Sequence, residues 1–334
     1  MNVFISKIVC FFTLAVMLLQ FEKTYSQDFH LSQYDAASLY LNPALTAAYF
    51  KDKVDYRVYA DYRSQWKSVS GNPFTTSYLA FDMVQKRFGV GGYLINNHAG
   101  SGGFNTFNFL LSGSYQIIEG SNNPHFLSVG LQAGILNKSF NPDKFLFDSQ
   151  YSGTSSSGFD ETLSSDEVFN KTSLLKFDAN MGVYYKFKEK HNNFHPFAGF
   201  SLFHVTMPNE SFTDEKHRLP IRYVLNGGSD IQLNESFKII PSVLFMMQQK
   251  AQELNMGVMG FYNIRDTKYD VLLGLNYRLE DAFIIQFGIK QDGHIFRVSY
   301  DINTSYLNQF SGNKGGIEFS LIFSGRRKQP IFQF

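Results

Sequence analysis

The sequence predicts an all-β protein, namely a transmembrane antiparallel β-barrel of the bacterial outer membrane with about 14 strands. The first observation is the hydrophobic pattern, which alternates with a period of two from residue 53 onward, as in a β-strand. The second is the composition, because 17% aromatic residues accompany a net charge of only +1. A barrel in lipid carries apolar and aromatic residues outside and polar residues inside, so it accounts for both observations.

Residues 1–26 are typical of a signal peptide, with Lys7 ahead of an apolar stretch at 8–19 and a cleavage site after Ser26. The apolar stretch is too short for a membrane-spanning helix, which needs about 20 residues. Cys10 is the only cysteine and lies within this stretch, so the processed chain is cysteine-free. This excludes a disulfide framework and a thiolate metal site in the processed chain.

Residues 27–52 form an N-terminal segment that precedes the barrel. Tyr34, Leu39, Tyr40 and Pro43 make this segment too apolar for a free tail. We therefore expect it to pack inside the lumen as a plug.

The predicted barrel covers 53–323, and its first strand, 53–64, shows the alternation best. Apolar side chains occupy one face of this strand, whereas the other face carries Arg57 and Arg63. An arginine on the lipid face at the bilayer midplane would cost about 2–4 kcal/mol, so the charged face must point into the lumen.

The lengths of the connections predict an even strand count. The predicted strands are 53–64, 74–84, 87–97, 104–118, 124–136, 176–187, 193–205, 220–232, 237–249, 254–264, 269–278, 281–290, 293–301 and 315–323. With a periplasmic N-terminus, every periplasmic connection is short, and the long ones at 65–73, 137–175, 206–219 and 302–315 are all extracellular. A single missed strand would mix short and long connections at both ends. The observed separation of the two kinds of connection therefore supports a closed barrel. The longest loop, 137–175, is either a solvated surface loop or a partner-binding surface.

No catalytic, metal-binding or cofactor-binding constellation is predicted. Ser201 and His204 are three apart on a strand and are expected on opposite faces, which would prevent them from forming a dyad. His191 and His195 have the spacing of a helical metal pair, but Pro196 indicates a turn leading into a strand. The near-zero net charge gives no electrostatic basis for binding nucleic acid.

Candidate partner-binding or structural residues lie where predicted strands reach the outer rim. Arg63 and Gln65 are expected to point inward and Trp66 outward, where a tryptophan serves first as a membrane-interface anchor and second as a partner contact. The outer loop that contains Pro208 and Asn209 begins close after His204. In that loop Pro208 ends the strand, and His204 is expected to be a structural residue of the rim.

Several strings at these rims and along the later strands resemble one family over nearly the whole processed chain. They are Gln33-Tyr34, Tyr40-Leu41-Asn42-Pro43-Ala44, Tyr62-Arg63-Ser64-Gln65-Trp66 with Gly71-Asn72-Pro73, Gly199-Phe200-Ser201-Leu202-Phe203-His204 with Pro208-Asn209-Glu210, Pro241-Ser242-Val243-Leu244, Ser299-Tyr300-Asp301-Ile302-Asn303 and Gly316-Ile317-Glu318-Phe319. These strings are similar to those of the PorP/SprF family of the Bacteroidetes type IX secretion and gliding-motility system. The resemblance implies an outer-membrane barrel associated with secretion, with no enzymatic activity and no cofactor.

The resemblance also implies partners beyond the lipid of the outer membrane: components of the secretion machinery, or a secreted adhesin kept at the cell surface. This chain departs from the family by continuing after its last strand into a tail, 324–334. By strand parity the tail is periplasmic. Arg326, Arg327 and Lys328 are candidate contacts for a partner, and alternatively Phe332 and Phe334 supply the terminal aromatic signature of an assembled barrel.

Three classes of function therefore remain open at this stage. The leading hypothesis is a non-enzymatic anchor or adaptor for secretion and surface attachment. The alternative is a passive or ligand-selective outer-membrane channel, because a barrel of this size encloses a lumen that is either open or plugged. A hydrolase within the barrel is disfavoured, because local spacing brings no Ser/His or Asp/His pair together.

Overall fold

The computed structural model describes residues 28–48, 54–68, 72–100, 102–118, 123–153, 158–160, 162–167, 169, 171–189, 191–213, 216–306 and 308–326. The strands in this part of the chain are β1 (Tyr56–Gln65), β2 (Phe74–Gln85), β3 (Phe88–Ala99), β4 (Phe104–Ile118), β5 (His125–Ser139), β6 (Ser173–Phe187), β7 (Phe194–Phe203), β8 (Arg222–Gln232), β9 (Phe237–Gln248), β10 (Ala251–Asn263), β11 (Tyr269–Arg278), β12 (Ala282–Gln291), β13 (His294–Asn303) and β14 (Lys314–Gly325). The predicted signal peptide, 1–26, lies outside the described residues.

The strands form one closed antiparallel barrel. Each strand pairs with its neighbours in sequence, and β14 returns to pair with β1, from Tyr56 opposite Gly325 to Gln65 opposite Gly316. Closure leaves no unpaired strand edge, which is the condition for a sheet to survive in lipid. The predicted barrel and its even strand count are both confirmed.

The two ends of the barrel differ in the length of their connections. We call the end with the connections 66–73, 140–172, 204–221 and 304–313 the loop end. The opposite end, with the shorter connections 86–87, 119–124, 188–193, 233–236, 264–268 and 292–293, is the turn end. Outer-membrane barrels place longer loops outside the cell and short turns in the periplasm, which assigns the loop end to the cell surface.

Side chains alternate across the barrel wall as the sequence pattern predicts. On β1, Tyr59, Asp61 and Arg63 are buried, whereas Tyr62 between them is 47% exposed on the outer surface. Exposed large apolar residues recur in the same alternation on the other strands and cover the outer wall. This register keeps the arginines of β1 away from lipid.

The N-terminal segment, residues 28–48 in the structure, lies against the inward-facing side chains of the barrel. It contains the short helix α1 (Ser38–Leu41) and a 3-10 turn at Pro43–Leu45. Leu39 packs in a buried cluster with Tyr59 and Leu110 of the wall. In the described residues the remaining helices are the 3-10 turns Pro142–Lys144 and Asp148–Gln150 and the helix α2 (Asn308–Ser311). None of the helices in the described part of the chain has the length and hydropathy of a membrane span.

Candidate functional site in the barrel lumen

Glycines on the inner wall make room for the N-terminal segment. A Cβ at Gly130 of β5 would lie 2.3 Å from the carbonyl carbon of Pro43, and a Cβ at Gly182 of β6 would lie 2.1 Å from Oδ1 of Asn42. A Cβ at Gly89 of β3 would lie 2.2 Å from the carbonyl oxygen of Thr46. Any side chain at these positions would overlap the segment, so the wall and the segment fit each other only because these residues are glycine.

Polar side chains of the wall bind the backbone of the N-terminal segment. Ser201 donates to the carbonyl of Leu41 at 2.9 Å, and Ser128 donates to the carbonyl of Ala44 at 2.7 Å. Gln132 donates to the carbonyl of Leu39, Ser114 donates to the carbonyl of Thr46, and Asp82 accepts from the backbone N–H of Ala47. These bonds satisfy backbone groups of a segment that has little regular secondary structure of its own.

A buried network of charges holds the start of the segment near the loop end. Arg63 of β1 donates to Asp301 of β13 at 2.9 Å and to Glu318 of β14 at 3.0 Å. Arg278 of β11 also pairs with Asp301, at 3.0 Å. Ser32 of the segment donates its hydroxyl to Asp301 and accepts from Arg63. We call Arg63, Arg278, Asp301 and Glu318 the arginine network.

The arginine network also forms hydrogen bonds with the backbone of the segment. The backbone N–H groups of Ser32 and Gln33 each donate to a different carboxylate oxygen of Glu318, both at 2.8 Å. Gln65 accepts from Arg63 at 2.9 Å, so these two predicted site residues do lie together and inside the lumen. Because the pairs are withdrawn from water, removing one partner of such a pair is strongly destabilising.

A second cluster of charges, the histidine cluster, binds the first described residue of the segment. His204 contacts Asp28 through Nε2 and Asp178 through Nδ1, both at 2.7 Å. Arg222 lies 3.3 Å from the same Asp28 oxygen, donates to the hydroxyl of Tyr40 at 2.7 Å, and stacks over that ring. Burial opposes protonation of His204, but the two carboxylates outweigh it and raise its pKa to about 9. Burial likewise opposes ionisation of Asp28, and His204 and Arg222 outweigh it and hold its pKa below the usual range.

The expected position of His204 on the face opposite Ser201 was wrong. Strand β7 ends at Phe203, and His204 takes a φ of 58°, which breaks the alternation and turns its side chain into the lumen. The two residues still bind different partners, because Ser201 donates to Leu41. His204 is therefore a buried member of the lumen, linking β6 to the N-terminal segment.

The histidine cluster predicts a pH dependence on the alkaline side. The pKa of His204 in the folded protein, about 9, exceeds the ordinary value of 6.5, so its contribution is complete below about 6.5 and is lost as pH rises through 9. The loss is on the order of 3 kcal/mol. Thermal unfolding in detergent from pH 6 to 10 measures it, and we expect His204→Gln to flatten the curve. The exposed His217 is the control, since His217→Gln should leave the curve unchanged.

The other predicted rim residues lie apart from these two clusters. Trp66 has a φ of 57° and a half-buried ring, which packs edge-on against Phe74 at 5.0 Å. Pro208 does not end the strand as predicted, because β7 already ends at Phe203. Pro208 and Asn209 lie in the loop between β7 and β8, where Asn209 forms a β-bridge with Arg218. The partner-binding roles of Trp66, Pro208 and Asn209 stay predictions.

The basic tail is described only at its start. Arg326 follows the last residue of β14 at the turn end and is exposed. Arg327 and Lys328 lie outside the described residues, as do Phe332 and Phe334. Across the described ranges no group of three or more His, Cys, Asp or Glu side chains could hold a metal ion.

Several residues of the two clusters were not predicted as site residues from the sequence. Asp301 and Glu318 lie within strings quoted for the family resemblance, and their inward positions follow from the alternation on β13 and β14. Asp28 and Arg222 carry no comparable signal, because only the fold brings the N-terminal segment beside β8. A search for inward-facing charges on adjacent strands would have found the first pair but not the second.

Comparison with known proteins places the chain in a family. Residues 23–323 match the family described as "Type IX secretion system membrane protein PorP/SprF". No curated protein matches the chain.

Solved structures show the same fold at low sequence identity. The Ralstonia pickettii toluene transporter TbuX is 11% identical with a TM-score of 0.54, and the match covers 87% of this chain and 93% of TbuX. The CymD monoaromatic hydrocarbon channel is 11% identical with a TM-score of 0.51, covering 88% of this chain and 94% of CymD. The closed barrel and the family match together show an outer-membrane protein. The chain belongs to the PorP/SprF family of type IX secretion system membrane proteins.

Proposed function

We propose that this protein is a non-enzymatic outer-membrane component of type IX secretion that binds other proteins at its two ends while residues 28–48 plug its lumen. The observation that carries the proposal is the N-terminal segment, which is held by the arginine network, the histidine cluster and close-packed glycines. A barrel filled in this way serves as a scaffold for partners rather than as an open passage.

The loop end supplies a preorganised surface for a secreted partner such as an adhesin. The ring centroid of Phe140, in the loop after β5, lies 4.7 Å from that of Phe212, so it connects this loop to the loop after β7. Within its own loop, the Phe140 ring centroid lies 5.0 Å from that of Phe169. Lys138, near the end of β5, forms an ion pair with Glu210 of the loop after β7. The loop after β5 also presents Tyr151, which is 65% exposed. A surface of this kind, with aromatic contacts between loops and an exposed aromatic side chain, suits protein binding.

The turn end is assigned to the periplasmic machinery. Arg326 follows β14 there, and the sequence continues with Arg327 and Lys328. Three neighbouring cations suit an acidic surface on a partner, where complementary charge accelerates association.

Affinity purification from membranes, using variants of the tagged protein, tests both assignments. The triple variant Arg326→Glu, Arg327→Glu, Lys328→Glu should lose the machinery partner and keep the secreted one. Removal of 145–167 from the loop after β5 should do the reverse. The triple variant Lys86→Glu, Lys188→Glu, Lys268→Glu, at exposed positions of the same turn end but outside the tail, controls for a nonspecific change of charge. If deletion of the gene leaves secretion, surface attachment and motility intact, the proposal is wrong.

A ligand-selective channel is the second candidate, favoured by the fold shared with the toluene transporter TbuX and the monoaromatic hydrocarbon channel CymD. The two candidates differ in one measurable property. A plugged scaffold should show little steady conductance in planar bilayers, whereas steady conductance or solute uptake by the unaltered protein would favour the channel.

A further inference from the structure

The turn-end half of the lumen contains a cavity of about 380 Å³ beneath the N-terminal segment. Leu41 and Leu45 of the segment bound it on one side. Its walls are largely apolar and aromatic, with Tyr184, Phe197 and Ile240 among them. The volume is that of a site for a small molecule rather than a packing defect. We call it the turn-end cavity.

Cations collect where the turn-end cavity approaches the periplasmic side. Arg57, Lys186 and Lys238 line it, and each is the second residue from the turn end of its strand. Lys186 is paired with Asp230 at 2.5 Å. Lys238 makes no ion pair within the described residues, and its ammonium lies over the ring of Phe261 at 4.3 Å. Lys238 therefore supplies the positive charge that is left at the mouth for an anion.

Two amide side chains that line the inner part of the cavity have an oxygen for which the described part of the chain supplies no hydrogen-bond donor. Oδ1 of Asn226 and Oε1 of Gln286 are buried and have no hydrogen-bond partner among the described residues. The side chains are 5% and 2% exposed, so bulk water does not satisfy them. An occupant with a hydroxyl group at its inner end would supply the donor that these amide oxygens lack.

We propose that the turn-end cavity binds a single-chain carboxylate that carries a hydroxyl group at its far end. The carboxylate lies at the mouth beside Lys238 and Lys186, the alkyl chain lies along the apolar wall, and the hydroxyl donates to Asn226 or Gln286. The N-terminal segment forms one side of this site and separates it from the loop end. The proposal is independent of the protein partners proposed above.

Binding of ω-hydroxydecanoate to the purified full-length chain in amphipol, followed by calorimetry, tests the site. We expect saturable binding with one site per chain, and decanoate should bind about tenfold more weakly because it lacks the hydroxyl donor. The variant Lys238→Gln should weaken both ligands about tenfold. Ile240→Trp, which fills the cavity, should abolish binding of both.

Lys268→Gln is the matched control, because Lys268 is also at the turn end but is exposed, pairs with Asp292 and does not line the cavity. Its affinity should equal that of the unaltered protein. Absence of saturable binding would overturn the proposal, as would equal affinities for decanoate and ω-hydroxydecanoate. An unchanged affinity in Lys238→Gln would do the same. These outcomes do not bear on the protein partners, which co-purification tests separately.

Discussion

We expect Arg63→Met to lower the free energy of unfolding by about 3–5 kcal/mol. Arg63 is 2% exposed and is the only cation that pairs with both Asp301 and Glu318 within the described residues. Without it, Glu318 stays buried with hydrogen bonds from Ser32 and Gln33 but no cation. Urea unfolding in detergent micelles measures the loss, and protease digestion of the folded variant should cut within residues 28–48.

An exposed ion pair provides the control for this effect. Lys268 and Asp292 are 3.5 Å apart at the turn end, and their side chains are 74% and 51% exposed. Lys268→Met should change the free energy of unfolding by about 1 kcal/mol at most, because water already screens the pair. Equal effects of Arg63→Met and Lys268→Met would show that the arginine network does not hold the segment.

The second large effect is expected from Gly130→Leu combined with Gly182→Leu. The added side chains would occupy the positions of Pro43 and Asn42, so the N-terminal segment must leave the wall. We expect the strands of the barrel to stay paired, because the hydrogen bonds between strands do not involve the segment. We expect a steady conductance several times that of the unaltered protein in planar bilayers, with new protease sites within 28–48.

Gly113 provides the matched control for the glycine substitutions. It lies on β4 with an exposed, outward position, and a Cβ there would meet nothing within 4 Å. Gly113→Leu adds the same side chain toward lipid and should leave conductance and protease resistance unchanged. If the double variant behaved like Gly113→Leu, the segment would not be the barrier in the lumen.

Strand positions were predictable because lipid imposes a strict choice on each side chain. Alternation located every strand, but several ends differ, notably for β5, which reaches Ser139, and β6, which starts at Ser173. Both strands have 15 residues, more than the roughly 9–11 that a strand needs to cross the bilayer. We infer that their ends, where Asn137 pairs with Leu175, lie beyond the hydrocarbon layer, where neither face needs to be apolar. Beyond the hydrocarbon layer the alternation of apolar and polar residues is lost, but the backbone hydrogen bonds between the strands continue. Sequence reasoning therefore ends such strands too early.

The clusters in the lumen were less predictable than the wall. Inward positions of Arg63 and Glu318 follow from period two, but their partners come from strands far apart in sequence that meet only when the barrel closes. His204 was misplaced because a single residue with positive φ reverses the alternation. Local pattern carries no information about where such a residue points.

The amino-acid pattern alone was enough to predict the barrel, its even strand number, the division into a loop end and a turn end, and the family resemblance, which the family match confirms. These properties depend on short-range alternation and on the cost of placing polar groups in lipid, both of which can be read along the chain. The contacts between the wall and residues 28–48 could be known only from the folded barrel. Asp28 reaches His204 and Arg222 across most of the chain length, and such a contact exists only after the strands have closed around the segment.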